Sequence, residues 1–221
     1  ILEGLDTVLT DRLHALLVDN PSAHGMRAAF RTLVSASLRP GPARVDEVVA
    51  ACRARAEAGR SPSPRIDRFV GLLAEHHPGD PGVVAALLLN PVTLQPGEAM
   101  YIPPGTLHAY LHGTGLEVMA TSDNVLRAGL TPKKVDAEEV LQCMSVVAAP
   151  PVRVAPERQN GTSKAYYAPV DDYELAFTQL DDHGADAPAR HPVPGSGPRI
   201  LLGLEGQVNV ESESDRAVLR A

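Results

Sequence analysis

Apolar residues recur at helical spacing through the first third of the chain. Ile1, Leu5, Val8, Leu9, Leu13, Leu16 and Leu17 form one stripe, and Met26, Ala29, Phe30, Leu33 and Val34 form a second. Val45, Val48, Val49 and Cys52 repeat the pattern up to Gly59, which suits a helix C-cap. Ile66, Phe69, Val70 and Leu73 follow a Ser63-Pro64 start, with proline at the first helical position. Pro, Gly and Ser separate the stripes, so the spacing predicts four helices in an all-helical unit over residues 1–82. The run His77-Pro78-Gly79-Asp80-Pro81-Gly82 closes it.

Beyond that run the pattern shortens. Apolar or alternating stretches at 83–94, 99–102, 107–112 and 116–121, each bounded by turn residues, predict strands. A short helix is expected over 137–144, with Asp136 and Glu139 at capping-box spacing. Residues 148–163 are rich in Pro and polar residues and read as loose, and strands resume at 173–180 and 200–210. The chain is therefore expected to be α+β, divided at about residues 82 and 147.

Composition narrows the classes of function. A net charge of −7 leaves no basic stripe for nucleic acid, so no nucleic-acid partner is expected. No apolar run is long enough for a bilayer, and Cys52 and Cys143 lie in no CxxC pairing, which argues against a disulfide framework or a thiolate zinc knuckle. The chain reads as soluble, cytoplasmic and monomeric. It opens on Ile1-Leu2-Glu3 inside an amphipathic pattern and is expected to be a piece of a longer polypeptide.

The chemistry concentrates in PGEAMYIPPGTLHAYLHGTG, residues 96–115. Two Gly/Pro clusters flank a short apolar run and are followed at once by His108, Tyr110 and His112. The spacing Gly97, Pro103, Gly105, His108, His112 resembles the second motif of the cupin superfamily, with histidine at the usual final Asn. That resemblance implies a jelly-roll barrel with alternate side chains pointing inward. If Gly113-Thr114 is a hairpin turn, Tyr110 faces Glu117 and His108 faces Met119. One histidine cannot hold a metal alone. Either no metal binds, or its other ligands lie upstream of Ile1.

A longer match follows the histidine. His108-Ala109-Tyr110, Gly115-Leu116-Glu117 and the segment SDNVLRAGLTPK at 122–133 resemble the signature region of the type I mannose-6-phosphate isomerases. The resemblance implies cupin-type jelly-roll portions with an all-helical insertion. Residues 1–82 would be the insertion, 83–147 the second half of the catalytic barrel, and 148–221 a linker and the start of a C-terminal cupin-like domain. It further implies a zinc ion on His108, whose companion Gln, His and Glu have no counterpart in the chain. The implied reaction interconverts mannose 6-phosphate and fructose 6-phosphate through an enediol. Arg127 matches the catalytic arginine, and Lys133, Glu117, Asp123 and Tyr110 would contact the sugar phosphate. Other readings stand beside these: another metal-dependent cupin enzyme, or a sugar-binding cupin without catalysis. Arg127 could be a surface ion pair, Glu117 could pair with Arg127 or Lys133, and His76-His77 reads as a helix end.

Overall fold

A computed structural model of the chain describes residues 1–122, 125–180 and 190–221. Two compact units are present, one of residues 1–155 with 168–173 and the other of 156–167 with 174–221. Helices and small antiparallel sheets make the chain α+β.

The first unit opens with four helices, α1 (Val8–Asp19), α2 (Ala23–Val34), α3 (Pro42–Glu57) and α4 (Pro64–His76). Helix α1 begins later than its apolar stripe. Thr7, extended, accepts a hydrogen bond from the Thr10 amide, and Thr10 Oγ1 accepts one from the Thr7 amide, so a reciprocal cap fixes the start at Val8. Leu2 and Leu5 reach the core from the preceding turn instead. At the other end of α3, Gly59 has φ +65, its amide bonds the Ala56 carbonyl and the Arg60 amide bonds the Arg55 carbonyl, both at 3.0 Å. This is the Schellman arrangement expected of a glycine one place past the cap.

The core joins Leu9, Leu13, Leu33, Val45, Val48, Cys52, Val70 and Leu73 to Val83, Val84 and Leu87. The last three correct the strand expected over 83–94. That stretch holds α5 (Gly82–Ala85) and a 3₁₀ turn at Ala86–Leu88. A continuous apolar run fits a buried strand or a buried helix equally well. Here Asp80 Oδ1 accepts the Gly82 amide at 2.7 Å and starts a turn, and burial at 83, 84 and 87 follows helical spacing.

Beneath this core lies an ion pair. Arg55 on α3 and Asp67 on α4 are 4% and 2% exposed and meet in a fork, Nε to Oδ2 at 3.0 Å and Nη2 to Oδ1 at 2.6 Å. The remaining Arg55 nitrogen donates to the carbonyls of Ile1 and Glu3, tying the amino-terminal segment to α3. Burial lifts the Asp67 carboxyl, but hydrogen bonds from Arg55 and Ser61, with the Arg55 charge, outweigh burial and hold it below its usual 3.8. Burial, followed by the Asp67 charge, pushes the neighbouring Cys52 thiol up to about 12.

Strand β1 (Ala99–Tyr101) matches the run at 99–102 and pairs antiparallel with β2 (Val152–Val154), in register Met100 to Arg153. Helix α6 (Ala137–Cys143) begins where Asp136 accepts the Glu139 amide at 3.2 Å. The strands expected at 107–112 and 116–121 are not formed: among the described residues these stretches join no ladder. Alternation specifies which face a strand would bury. It does not supply the partner that satisfies its amides and carbonyls.

The second unit holds a three-stranded antiparallel sheet, β3 (Glu157–Arg158), β4 (Ser163–Tyr166) and β5 (Leu175–Thr178), and a hairpin of β6 (Gln207–Glu211) with β7 (Arg216–Arg220). The loose stretch over 148–163 thus contains β2 and β3, too short and too polar to show a pattern. Of the strand expected over 200–210 only its end is regular, and Ile200 is 99% exposed.

Asp67→Ala removes one partner of a buried pair and leaves a guanidinium unpaired in the core. A loss of about 3–5 kcal/mol in denaturant unfolding is expected. With its folded pKa depressed, Asp67 binds its proton less tightly in the folded state than in the unfolded chain. Its contribution is therefore present above the ordinary value near 3.8 and is lost as pH falls through the folded value. Acid titration of stability should show this step in the unsubstituted protein and not in Asp67→Ala.

Candidate functional site

Both Gly/Pro clusters are tight turns. The Glu98 amide bonds the Gln95 carbonyl at 2.9 Å with Pro96 second and Gly97, φ +82, third. The Thr106 amide bonds the Pro103 carbonyl at 3.1 Å with Pro104 second and Gly105, φ +78, third. Proline followed by a positive-φ glycine is the type II signature. The second turn leans on the end of α6: the Gly105 carbonyl accepts the Ser145 amide at 2.9 Å, and a Cβ on Gly105 would lie 2.6 Å from the Cys143 carbonyl oxygen. Arg27 of α2 holds that same helix end, donating to the carbonyls of Leu141 and, at 3.3 Å, Met144.

His108 follows directly. Its Nδ1 lies 2.9 Å from the Thr106 carbonyl oxygen. A carbonyl can only accept, so Nδ1 carries a proton, and in the neutral ring it is Nε2 that holds the lone pair. Imidazoles that ligate metals are oriented by this kind of bond to a backbone carbonyl. The His108 ring is exposed and meets Tyr110 edge to face, centroids 5.8 Å apart at 76°. The Tyr110 hydroxyl donates to Glu117. Its desolvation, then this bond and the Glu117 charge, push the phenol up to about 12, although 72% of the residue is exposed. The side-chain pairing of 110 with 117 is thus present without a strand ladder, around a Gly113 of φ +105. Leu111 packs on the helical core, and His76 and His77 flank Tyr110 at the C-terminal end of α4, where the His77 amide caps the Leu73 carbonyl.

The signature segment is anchored to the same unit at Asp80. The Leu130 amide donates to Asp80 Oδ2 at 3.0 Å, and Leu130 adopts φ +54 with its side chain against the helical core. Two glycines ease the approach. A Cβ on Gly82 would lie 2.8 Å from Leu130 Cγ, and one on Gly129 would lie 3.1 Å from Asp80 Oδ1. Arg127 and Lys133 flank this anchor and are exposed. The Lys133 amide bonds Thr131 Oγ1 at 3.2 Å.

The structure thus brings His108, Tyr110 and Glu117 together. Among the described residues it forms no ion pair between Arg127 or Lys133 and Glu117 or any other carboxylate, so the surface-pair reading finds no partner. Asp123 lies outside the described residues. Asp80, Arg27 and the Thr106 carbonyl had no sequence motif to mark them. The glycines at 82 and 129 were the only trace of the close approach at Asp80. His108 suits one position in a zinc ligand set. Among the described residues no group of three or more His, Cys, Asp or Glu gathers to complete one.

Gly105→Ala and Gly113→Ala separate strain from collision. Both force a left-handed backbone on alanine, about 1–3 kcal/mol. Only Gly105→Ala also drives a Cβ into a backbone carbonyl, since nothing lies within 4 Å at Gly113. Thermal melts should show the larger loss for Gly105→Ala; equal losses would remove the contact between this turn and α6.

No family model matches the chain. It is 35% identical over 158 residues to a probable mannose-6-phosphate isomerase of Dictyostelium discoideum, covering 70% of this chain and 34% of that protein. It is 44% identical over 114 residues to the mannose-6-phosphate isomerase of Escherichia coli K12, covering 51% and 29%. A crystal structure of the Salmonella typhimurium mannose 6-phosphate isomerase, bound to its substrate and to zinc, superposes with TM-score 0.72 at 28% identity over 99% of this chain and 52% of that one. The chain therefore spans roughly a third of the curated relatives and half of the crystallised one. Over that span it is similar to the mannose-6-phosphate isomerases in sequence and in fold.

Proposed function

We propose that the chain carries part of a zinc-dependent aldose-ketose isomerase that interconverts mannose 6-phosphate and fructose 6-phosphate. The observation that carries this reading is the His108 tautomer: Nδ1 engaged by Thr106 leaves Nε2 as a metal ligand, at the position where the family resemblance calls for one. When bound, zinc would supply an electrophile for the sugar's oxygens. His108 would be one ligand of a set whose other members the described residues do not gather.

The chain's own residues then have separable tasks. The exposed guanidinium of Arg127, in no ion pair among the described residues, would bind the phosphate or the negative charge of the enediolate. Lys133 offers a second cation on the same segment. Tyr110, whose hydroxyl proton is retained well above neutrality by desolvation and engaged by Glu117, would accept a hydrogen bond from a sugar hydroxyl; it is no base at physiological pH. Glu117 would orient that hydroxyl, and Asp123 would line the same site.

The architecture we infer is a cupin jelly-roll with a helical insertion. Residues 1–82 form the insertion, 83–147 the second half of the catalytic barrel, and 148–221 a linker and the start of a further cupin-like domain. Helical packing itself continues through Leu87. Two unpaired cysteines suit a reducing cytoplasm, and we expect a monomer. Among the described residues no helix is long and apolar enough to cross a membrane.

In the full-length protein, Arg127→Ala should lower turnover by about 10²–10³-fold, as loss of one donor to developing charge does, with zinc content unchanged. His108→Ala should lose zinc and turnover together. Exchange assays on mannose 6-phosphate with atomic absorption check both; unimpaired turnover in Arg127→Ala, or full zinc in His108→Ala, would remove the assignment concerned.

A further inference from the structure

We propose that Asp80 is a positioning residue for the loop that carries Arg127 and Lys133, a role that rests on the isomerase reading. Nothing in the side chain of Arg127 fixes its place, because it has no ion-pair partner among the described residues. Its backbone is fixed instead. Asp80 accepts the Gly82 amide with Oδ1 and the Leu130 amide with Oδ2, so one carboxylate starts α5 and pins the loop midway between the two cations.

Three further features converge on the same point. Leu130 holds φ +54, a conformation that costs a branched residue about 1–3 kcal/mol and persists only where surroundings enforce it. Its side chain is lodged against the helical core. Gly82 and Gly129 let the two backbones close to the distance at which Asp80 can reach both amides, since a Cβ on either would lie 2.8 to 3.1 Å from Leu130 or Asp80 atoms. A catalytic cation displaced by about 1 Å can cost on the order of 10²-fold in rate. Asp80 therefore acts on turnover through Arg127 while touching no substrate.

Asp80→Asn in the full-length enzyme tests this, because the amide cannot accept both amides. Turnover should fall about 10²-fold with zinc content unchanged and KM for mannose 6-phosphate altered far less than kcat. The Leu130 amide should lose its protection from hydrogen exchange. In an Arg127→Ala background the same substitution should cost less than in the wild type, since one of the two cations it positions is gone. Gly129→Ala, which crowds Asp80 Oδ1 at 3.1 Å without altering it, should lower turnover in the same direction by a smaller factor and serves if Asp80→Asn does not fold. Wild-type turnover in either folded, zinc-loaded variant, retained Leu130 protection in Asp80→Asn, or additive losses with Arg127→Ala would overturn the proposal. Hydrogen exchange needs no turnover, so an inactive wild type would fail the isomerase reading while the bond to Leu130 is still read.

Discussion

Asp80 divides its carboxylate between two backbone amides, one two residues ahead and the other fifty residues ahead, and the functional segment hangs from that division. Arg127 and Lys133 sit on a loop with no regular secondary structure, so neither a ladder nor a helix holds them. What holds them is a carboxylate bond to Leu130, a left-handed leucine seated in a helical core, and two glycines that allow contact. A bond between a charged acceptor and a backbone amide is stronger than a neutral one, and both partners here are partly sheltered from water. The rigidity of the helical core is thereby passed to an exposed loop.

The same logic recurs on the histidine side. Arg27 of α2 grips the end of α6, the end of α6 receives the Gly105 turn, and that turn presents the Thr106 carbonyl to His108. The choice of ring nitrogen is thus set by a carbonyl whose position traces back to α2. Both routes end in the four-helix core, which is held at its base by the buried Arg55–Asp67 fork. The helical unit carries none of the proposed site residues, but it orients them.

Much of this could be read from the sequence where local physics decides. The four helices, the cap at Gly59 and the start at Pro64, the short strand after Gly97 and the helix after Asp136 follow from spacing and turn chemistry, which act within a few residues. The closeness of Tyr110 to Glu117 was expected from a hairpin at Gly113-Thr114, and the two side chains do meet, but without the strands that expectation supposed. The failures share one cause. Val83–Val84–Leu87 is apolar throughout, so its period was hidden until Asp80 fixed a helical start. The runs at 107–112 and 116–121 carry a strand pattern, but ladders depend on partners that pattern alone cannot supply. Asp80 itself lay in a Pro/Gly break that reads as punctuation, because its second partner is distant in sequence.

The most direct test of the site is zinc-edge anomalous diffraction from crystals of the full-length protein with a bound sugar phosphate. Zinc density about 2.0–2.1 Å from His108 Nε2, with Nδ1 still on the Thr106 carbonyl and the Arg127 guanidinium against the same ligand, is the predicted result. Zinc held elsewhere, or an Arg127 turned away from the sugar phosphate, would contradict a single site built from these two anchored segments.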